Sequence, residues 1–256
     1  MKKYRIVMLG AGNVGFQLAC HLRNNGQHIL QVFSRHLSAT WNSTLRDIPF
    51  TKKISEIEQD GDIYLIAVKD DAIKEIIPKL FLPDKIVAHT SASIPMDILS
   101  SVTKNYGVFY PLQTISKNIS LDFSAIPICF DAANKPTLEV LKKLAHLLSK
   151  TVVEINDDKR LAIHVAAVFA NNFSNHLFSI AQEILMKNNL SFDILKPLIR
   201  ETIRKIETHN PNEVQTGPAA RNDEDTINRH LEFLNHDEQL MNLYRLMTTD
   251  IQTRND

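Results

Sequence analysis

Glycine is scarce in this chain: there are seven in 256 residues, and three of the seven fall between positions 10 and 15. That scarcity excludes a low-complexity or collagen-like polypeptide and makes the local cluster informative. Cysteine is nearly absent. Cys20 and Cys129 both lie in apolar company, which excludes a disulfide framework and favours reduced core residues over a nucleophile. No Cys/His group has metal-ligand spacing, so no metal is expected. Neither sign of charge is in excess, with 29 basic and 29 acidic residues and a formal net charge of zero. No charged block marks a nucleic-acid or anionic-membrane partner. No apolar run approaches the ~20 residues of a membrane span. Lys2, Lys3 and Arg5 precede a short apolar run, but Asn13 and Gln17 interrupt its continuation, which argues against a signal peptide. The expectation is a soluble cytoplasmic protein, long enough for one large domain or two unequal ones.

What is present begins at the first glycines. The apolar run Tyr4-Arg5-Ile6-Val7-Met8-Leu9 leads into Gly10-Ala11-Gly12-Asn13-Val14-Gly15, and Phe16 to Leu22 reads as a helix. Strand, G-x-G-x-x-G and helix in this order suit a dinucleotide. Gly10 permits the tight turn, Gly12 lets backbone approach a pyrophosphate, and Gly15 lets helix pack closely on strand. The phosphates would meet free N–H groups at the helix N-terminus.

Strand and helix signals alternate up to about residue 155. Further strands are expected at Ile29–Phe33, Asp62–Val68, Lys85–Thr90, Val108–Tyr110, Ile126–Phe130 and Thr151–Ile155, with a helix from Pro136 to Ser149. This pattern predicts an α/β fold built on a doubly wound parallel sheet. After Asp157-Asp158 the pattern becomes all-helical. Lys159 to Lys187 contains neither Gly nor Pro and predicts one helix of about 28 residues, ~42 Å long. Helical segments follow at Phe192–Ile206, Glu224–Leu234 and Glu238–Thr248, with a loop at Glu207–Asn222. The predicted division is a dinucleotide-binding domain over 1–156 and a helical domain over 157–256.

The end of the second strand reads Phe33-Ser34-Arg35-His36, with no carboxylate before Asp47. An acidic residue there would suit the ribose 2′-OH of NAD, whereas Arg35 and Ser34 suit a 2′-phosphate, so NADP(H) is preferred over NAD(H). The alternative is that Arg35 caps a loop. Val68-Lys69 and Ser91 follow two other strands and should flank the nicotinamide half of the site, since ligands lie outside the carboxyl ends of such strands. Asp70 or Asp71 reads as a helix N-cap. Ser91 and Ser93 could cap or could line the substrate site. Gln113 and Thr114, after Tyr110-Pro111-Leu112, offer neutral hydrogen-bonding groups for a carbonyl or carboxamide. The bland reading of that segment is a proline-fixed turn.

The long helix carries a polar stripe. At 100° per residue Asn171 lies about 20° to one side of His164 and Asn175 about 20° to the other. A solvated face would carry Lys and Glu; this one carries a histidine and amides, which suits a polar cavity wall or a satisfied structural network. His164 is the candidate acid/base, because its unperturbed pKa suits proton exchange near neutrality.

These motifs resemble a known group. Gly10-x-Gly12-x-x-Gly15, Ser34-Arg35, Ala67-Val68-Lys69 and Ser91 are similar to the Rossmann nucleotide domain of the 6-phosphogluconate dehydrogenase-like superfamily. Pyrroline-5-carboxylate reductase and the NADP:deazaflavin oxidoreductases share that domain, followed by a helical dimerisation domain. Tyr110-Pro111-Leu112-Gln113-Thr114, His164-x-Ala166-Ala167-x-x-x-Ala170-Asn171-Asn172 and Thr216-Gly217-Pro218-Ala219-Ala220-Arg221-x-Asp223 resemble an uncharacterised Rossmann-like family with a C-terminal domain of unknown function. Two departures separate the chain from better-understood relatives. His164 and asparagines stand where hydroxyacid dehydrogenases use a lysine, and the 216–223 loop lacks the Ser/Gly/Thr-rich signature of pyrroline-5-carboxylate reductase. The resemblance implies a homodimer and an NADPH-dependent reduction of a small C=O or C=N compound. His164 and Asn171 would be catalytic, with Ser91, Gln113, Thr114, Asn175 and Arg221 on the substrate. The alternative is a non-catalytic NADP(H) sensor.

Overall fold

The computed structural model describes residues 2–116 and 121–255. In chain order the first elements are β1 (Arg5–Leu9), α1 (Asn13–Asn24), β2 (His28–Phe33), α2 (Ala39–Thr44), β3 (Phe50–Thr51), β4 (Ile63–Ile66), α3 (Asp70–Ile76), β5 (Ile86–His89), β6 (Tyr106–Pro111), β7 (Ile128–Ala132), α4 (Lys135–Leu148) and β8 (Val152–Glu154). The strands form one sheet in the order β3-β2-β1-β4-β5-β6-β7-β8. Its first six strands have the doubly wound order 3-2-1-4-5-6, with the switch point between β1 and β4. All neighbours run parallel except β6 and β7, which are antiparallel. The doubly wound parallel sheet expected from sequence thus forms, with this one antiparallel pair in it. No crossover helix separates those two strands among the described residues, and a parallel pair would need one. The two-residue β3 is too short to leave a periodic signal.

Both faces of the sheet are covered, which is why β1 reads as a continuous apolar run. Ile6 and Met8 join Leu18 and Leu22 of α1 and Leu141 and Leu144 of α4 in one core. Val7 and Leu9 join Ile73 and Ile76 of α3, with Leu99 and Val102, in the other. Each fully buried leucine or isoleucine contributes about 1.5–3 kcal/mol. The expected helix near Pro136 forms with Asn134 as its cap, the side chain accepting from the Thr137 N–H at 3.0 Å.

The helical part continues with α5 (Asp157–Ala167), a π segment (Val168–Phe173), α6 (Ser174–Lys187), α7 (Lys196–Ile206), α8 (Glu224–Phe233) and α9 (Glu238–Asn255). The uninterrupted α-helix expected from Lys159 to Lys187 is thus corrected. It starts at Asp157, capped by Asn156, and its middle is wound with i→i+5 spacing. Ser174 Oγ donates to the carbonyl of Phe169, five residues back, at 3.2 Å. A π turn advances less per residue than an α turn, so the 100° rule that aligned His164, Asn171 and Asn175 does not carry across it. Pro197 marks the start of α7, splitting the segment expected from Phe192 into a short 3-10 turn and a helix. Asp223 caps α8, accepting from the Thr226 N–H at 3.1 Å.

The chain forms two compact units, Met1–Ser174 and Asn175–Asp256. The expected boundary after residue 156 lies inside the first, which holds α5 and the π segment with the sheet. No described helix is long and apolar enough to cross a membrane.

Candidate active site

The turn between β1 and α1 is built on glycine. Gly10 has φ +124°, and a Cβ there would lie 2.3 Å from the Ala67 carbonyl oxygen. A Cβ on Gly15 would lie 2.1 Å from the Gly10 carbonyl oxygen, so α1 packs against the turn itself. Gly12 differs: the nearest atom to a built Cβ is 3.8 Å away, leaving that side of the turn open. Gly12 is also the N-cap of α1, no side chain caps it, and the first turn holds no acid. Ala11 is buried, while Gly12 and Asn13 are exposed and Val14 is half-buried. An open backbone at an uncapped helix N-terminus fits a pyrophosphate.

Beside it, β2 ends at Phe33. The Gly10 N–H donates to the Phe33 carbonyl at 2.8 Å, which ties the two strand ends together. Ser34 Oγ donates to the His36 carbonyl at 2.8 Å. Arg35 is exposed and makes no ion pair or capping bond among the described residues. The first downstream carboxylate, Asp47, is bound to Arg23 at 2.8 Å. Among the described residues the end of β2 thus presents the Arg35 cation without a carboxylate partner.

At the end of β4, Lys69 rather than Asp70 or Asp71 is the N-cap of α3, and it caps without a side-chain bond. The expected aspartate cap is corrected: Asp70 is the first helical residue, and its carboxylate accepts from Ser93 Oγ at 2.6 Å. Val68 is half-buried and Lys69 exposed. After β5, Ser91 folds the loop. Its Oγ accepts from the N–H groups of Ser93 (3.2 Å) and Ile94 (3.0 Å), the capping alternative left open by the sequence. The Ser91 N–H in turn donates to His89 Nδ1 at 3.2 Å. His89 is wholly buried. Burial first, then the Arg160 cation, pushes its pKa down to about 4, so the ring is neutral with its proton on Nε2.

The carboxyl end of β6 meets α5. The Tyr110 hydroxyl lies 3.2 Å from His164 Nδ1, and both residues are half-buried. Burial pushes the phenol pKa up, so Tyr110 keeps its proton. The phenol thus holds the Nδ1 edge of the His164 ring and leaves Nε2 as its free nitrogen. Beyond β6 the Asn171 amide donates to Thr114 Oγ1, and the Gln113 carbonyl oxygen accepts from the Thr114 N–H at 2.9 Å. The π segment therefore holds the loop after β6. One turn before His164, Arg160 is buried and bonded to Asp157 and to the carbonyls of Ala92 and Ile94.

The first unit thus brings Tyr110 to His164, Thr114 to Asn171, and Ser91 to the β5 loop. Asn175 and Arg221 belong to the second unit. There Asn175 lends its carbonyl to Ser179 Oγ at 3.2 Å, and Arg221 ends a 3-10 turn beside Asp223. Sequence reading passed over Tyr110, His89 and Arg160. An arginine four residues before the candidate histidine, in so apolar a helix, was the available signal. Cys20 and Cys129 are free thiols whose pKa values burial raises, which suits the core role expected of them. No His, Cys, Asp or Glu cluster among the described residues could hold a metal.

Comparison with known proteins gives the family. A family model described as NADP oxidoreductase, coenzyme F420-dependent, matches residues 5–93, and one described as a domain of unknown function matches residues 126–251. A solved Bacteroides fragilis protein, provisionally named an NADP oxidoreductase, is 36% identical over 98% of both chains, with a TM-score of 0.89. The chain belongs to this NADP oxidoreductase family with a C-terminal domain of unknown function. The model described as an NADP oxidoreductase covers the stretch that holds the glycine turn and the ends of β2, β4 and β5. A Plasmodium falciparum pyrroline carboxylate reductase, solved with NADP bound, shares the fold: it is 14% identical, covers 100% of both chains and has a TM-score of 0.61. A glycerol-3-phosphate dehydrogenase of Lactobacillus delbrueckii subsp. bulgaricus, named as using NAD(P)+, is 30% identical over 183 residues, 65% of this chain. The chain spans from 40% to 51% of the length of the curated relatives it matches.

Proposed function

We propose that this family member is an NADP(H)-dependent oxidoreductase that reduces a small carbonyl or imine compound, with His164 as proton donor. The cofactor, when bound, supplies the hydride. Gly10, Gly12 and Gly15 hold its pyrophosphate against α1, and Ser34 with Arg35 takes the 2′-phosphate. Val68, Lys69 and Ser91 border the nicotinamide half. The observation that carries the reading is the Tyr110–His164 pair: the phenol holds the Nδ1 edge of the ring 3.2 Å away and leaves Nε2 free at the carboxyl end of the sheet, where the imidazolium would give its proton and return to the neutral ring. Thr114, Gln113 and Asn171 offer only neutral groups, which suit orientation of a carbonyl or imine rather than capture of an anion. The relative named for pyrroline carboxylate, a cyclic imine, supports the C=N half of the proposal.

The working form is a homodimer through the helical part. Among the described residues of the second unit only Ala219, Ile227, Leu234 and Thr248 are buried. Leu177, Phe178, Leu198, Ile203, Phe233, Leu246 and Met247 are exposed there. So thin a core does not stabilise a unit of this size by itself.

The test is NADPH oxidation against oxo acids, cyclic imines and deazaflavin acceptors, with wild type and His164→Gln side by side. Turnover by the wild type, lowered about 10²-fold in the variant at unchanged NADPH affinity, is expected. Tight nucleotide binding with no turnover across the panel would instead identify a sensor.

A further inference from the structure

Arg160 is the one Lys, Arg, Asp or Glu buried among the described residues, at 1% exposure. Each of its nitrogens is engaged. Nε donates to the Ala92 carbonyl (3.1 Å), Nη2 to the Ile94 carbonyl, and Nη1 to an Asp157 oxygen (2.6 Å). The other Asp157 oxygen accepts from the Met96 N–H at 2.9 Å. Two side chains from the first turns of α5 therefore grip the loop after β5 at alternate residues 92, 94 and 96. The same loop is anchored on its other side by the Ser93–Asp70 bond to α3.

Three of the five guanidinium N–H groups, one on each nitrogen, are thus spent on the protein itself, and the side chain is buried. Burying it is expensive unless it is paired, and an apolar side chain would fill the space at no such cost. What the fork provides is location: its planar geometry fixes α5 against the loop in both direction and register. His164 stands one turn further on, at i+4, on the same face of α5. A proton donor displaced by about 1 Å can lose about 10²-fold in rate.

We propose that Arg160 is a positioning residue: through the loop after β5 it fixes where His164 stands against the strand ends that border the cofactor. This rests on the reading of His164 as proton donor. Two variants test it. Arg160→Lys keeps the charge but offers one nitrogen where three were bonded. Asp157→Asn keeps a bond to the Met96 N–H but removes the charge partner. In both, the NADPH dissociation constant should stay within about threefold of wild type and KM should move little, while kcat falls by about 30- to 100-fold. Combined with His164→Gln, neither should cause a further loss, because the group they position is gone. A second readout needs no turnover. In the NADP complex, ¹⁵N spectra of His164 should show a single tautomer, fixed by the contact of Nδ1 with Tyr110, in the wild type and a mixture of tautomers in both variants. If no substrate is ever reduced, the oxidoreductase reading fails and the ¹⁵N spectra still decide the role of Arg160. Should Arg160→Lys not fold, Asp157→Asn decides alone, since that carboxylate is 38% exposed and tolerates an amide. Folded variants with wild-type kcat and unchanged His164 spectra would overturn the proposal, as would losses that multiply with His164→Gln.

Discussion

His89 should make the sheet unit sensitive to acid. The ring is buried and neutral in the folded chain, with its pKa pushed from the ordinary 6.5 down to about 4 by burial and by Arg160. Between those values the unfolded chain binds a proton that the folded chain refuses, so stability rises with pH across that window. The contribution is complete above pH 6.5 and is lost as pH falls through the window toward 4. At 1.36 kcal/mol per unit, the gap of about 2.5 units sets a ceiling of about 3 kcal/mol, of which about 2 kcal/mol is lost by pH 5. The perturbation is His89→Asn, whose amide oxygen can still accept the Ser91 N–H but does not titrate. The assay is urea unfolding at pH 7.5 and pH 5. The single tryptophan, Trp41, reports on it because it is 1% exposed inside this unit. Carboxylate titrations are common to both proteins and cancel in the difference. Wild type should lose about 2 kcal/mol more than the variant between the two pH values, at unchanged m-values. Equal losses would show that His89 titrates normally and that the buried cation beside it is not felt.

Arg35→Ala should weaken NADPH binding about 10- to 100-fold and leave NADH binding unchanged, the scale of one hydrogen-bonded charge pair, read by nucleotide fluorescence. Equal affinities for both nucleotides in the wild type would refute the 2′-phosphate role. Light scattering should give a dimer at micromolar concentration, because the second unit leaves its apolar helix faces exposed; a monomer would contradict this. If Arg221 serves the neighbouring subunit's site, mixing Arg221→Ala with His164→Gln subunits should regenerate up to one wild-type site per mixed dimer. No recovery, with exchange demonstrated and both single variants inactive, would place Arg221 in its own subunit's site.

Much of the fold was legible because it rests on local signals. The strand-glycine-helix start, the strand periodicities and the caps at Asn134 and Asp223 are each written within a few residues. Legible in part was the end of β2, where a missing carboxylate is as readable as a present one. What escaped depended on contacts distant in the chain. The antiparallel β7 follows from how a connection closes, and apolar alternation is the same for either direction. The π segment carries neither glycine nor proline to announce it. Arg160 reaches carbonyls 66 and 68 residues away, and Tyr110 meets a histidine 54 residues away; composition and periodicity hold no trace of either pairing. His164 was singled out because a histidine is unusual on an apolar helix, while the phenol 3.2 Å from it sits in an ordinary strand.

The central claim is that the strand ends around Gly12 and the Tyr110–His164 pair form one NADP-dependent reductive site. A crystal structure of the NADP complex tests it most directly. The pyrophosphate should lie over Gly12 at the start of α1, the 2′-phosphate against Ser34 and Arg35, and the nicotinamide beside Ser91, with His164 Nε2 facing the space next to its reactive carbon. A nicotinamide bound away from Ser91 and out of reach of His164 would contradict the claim.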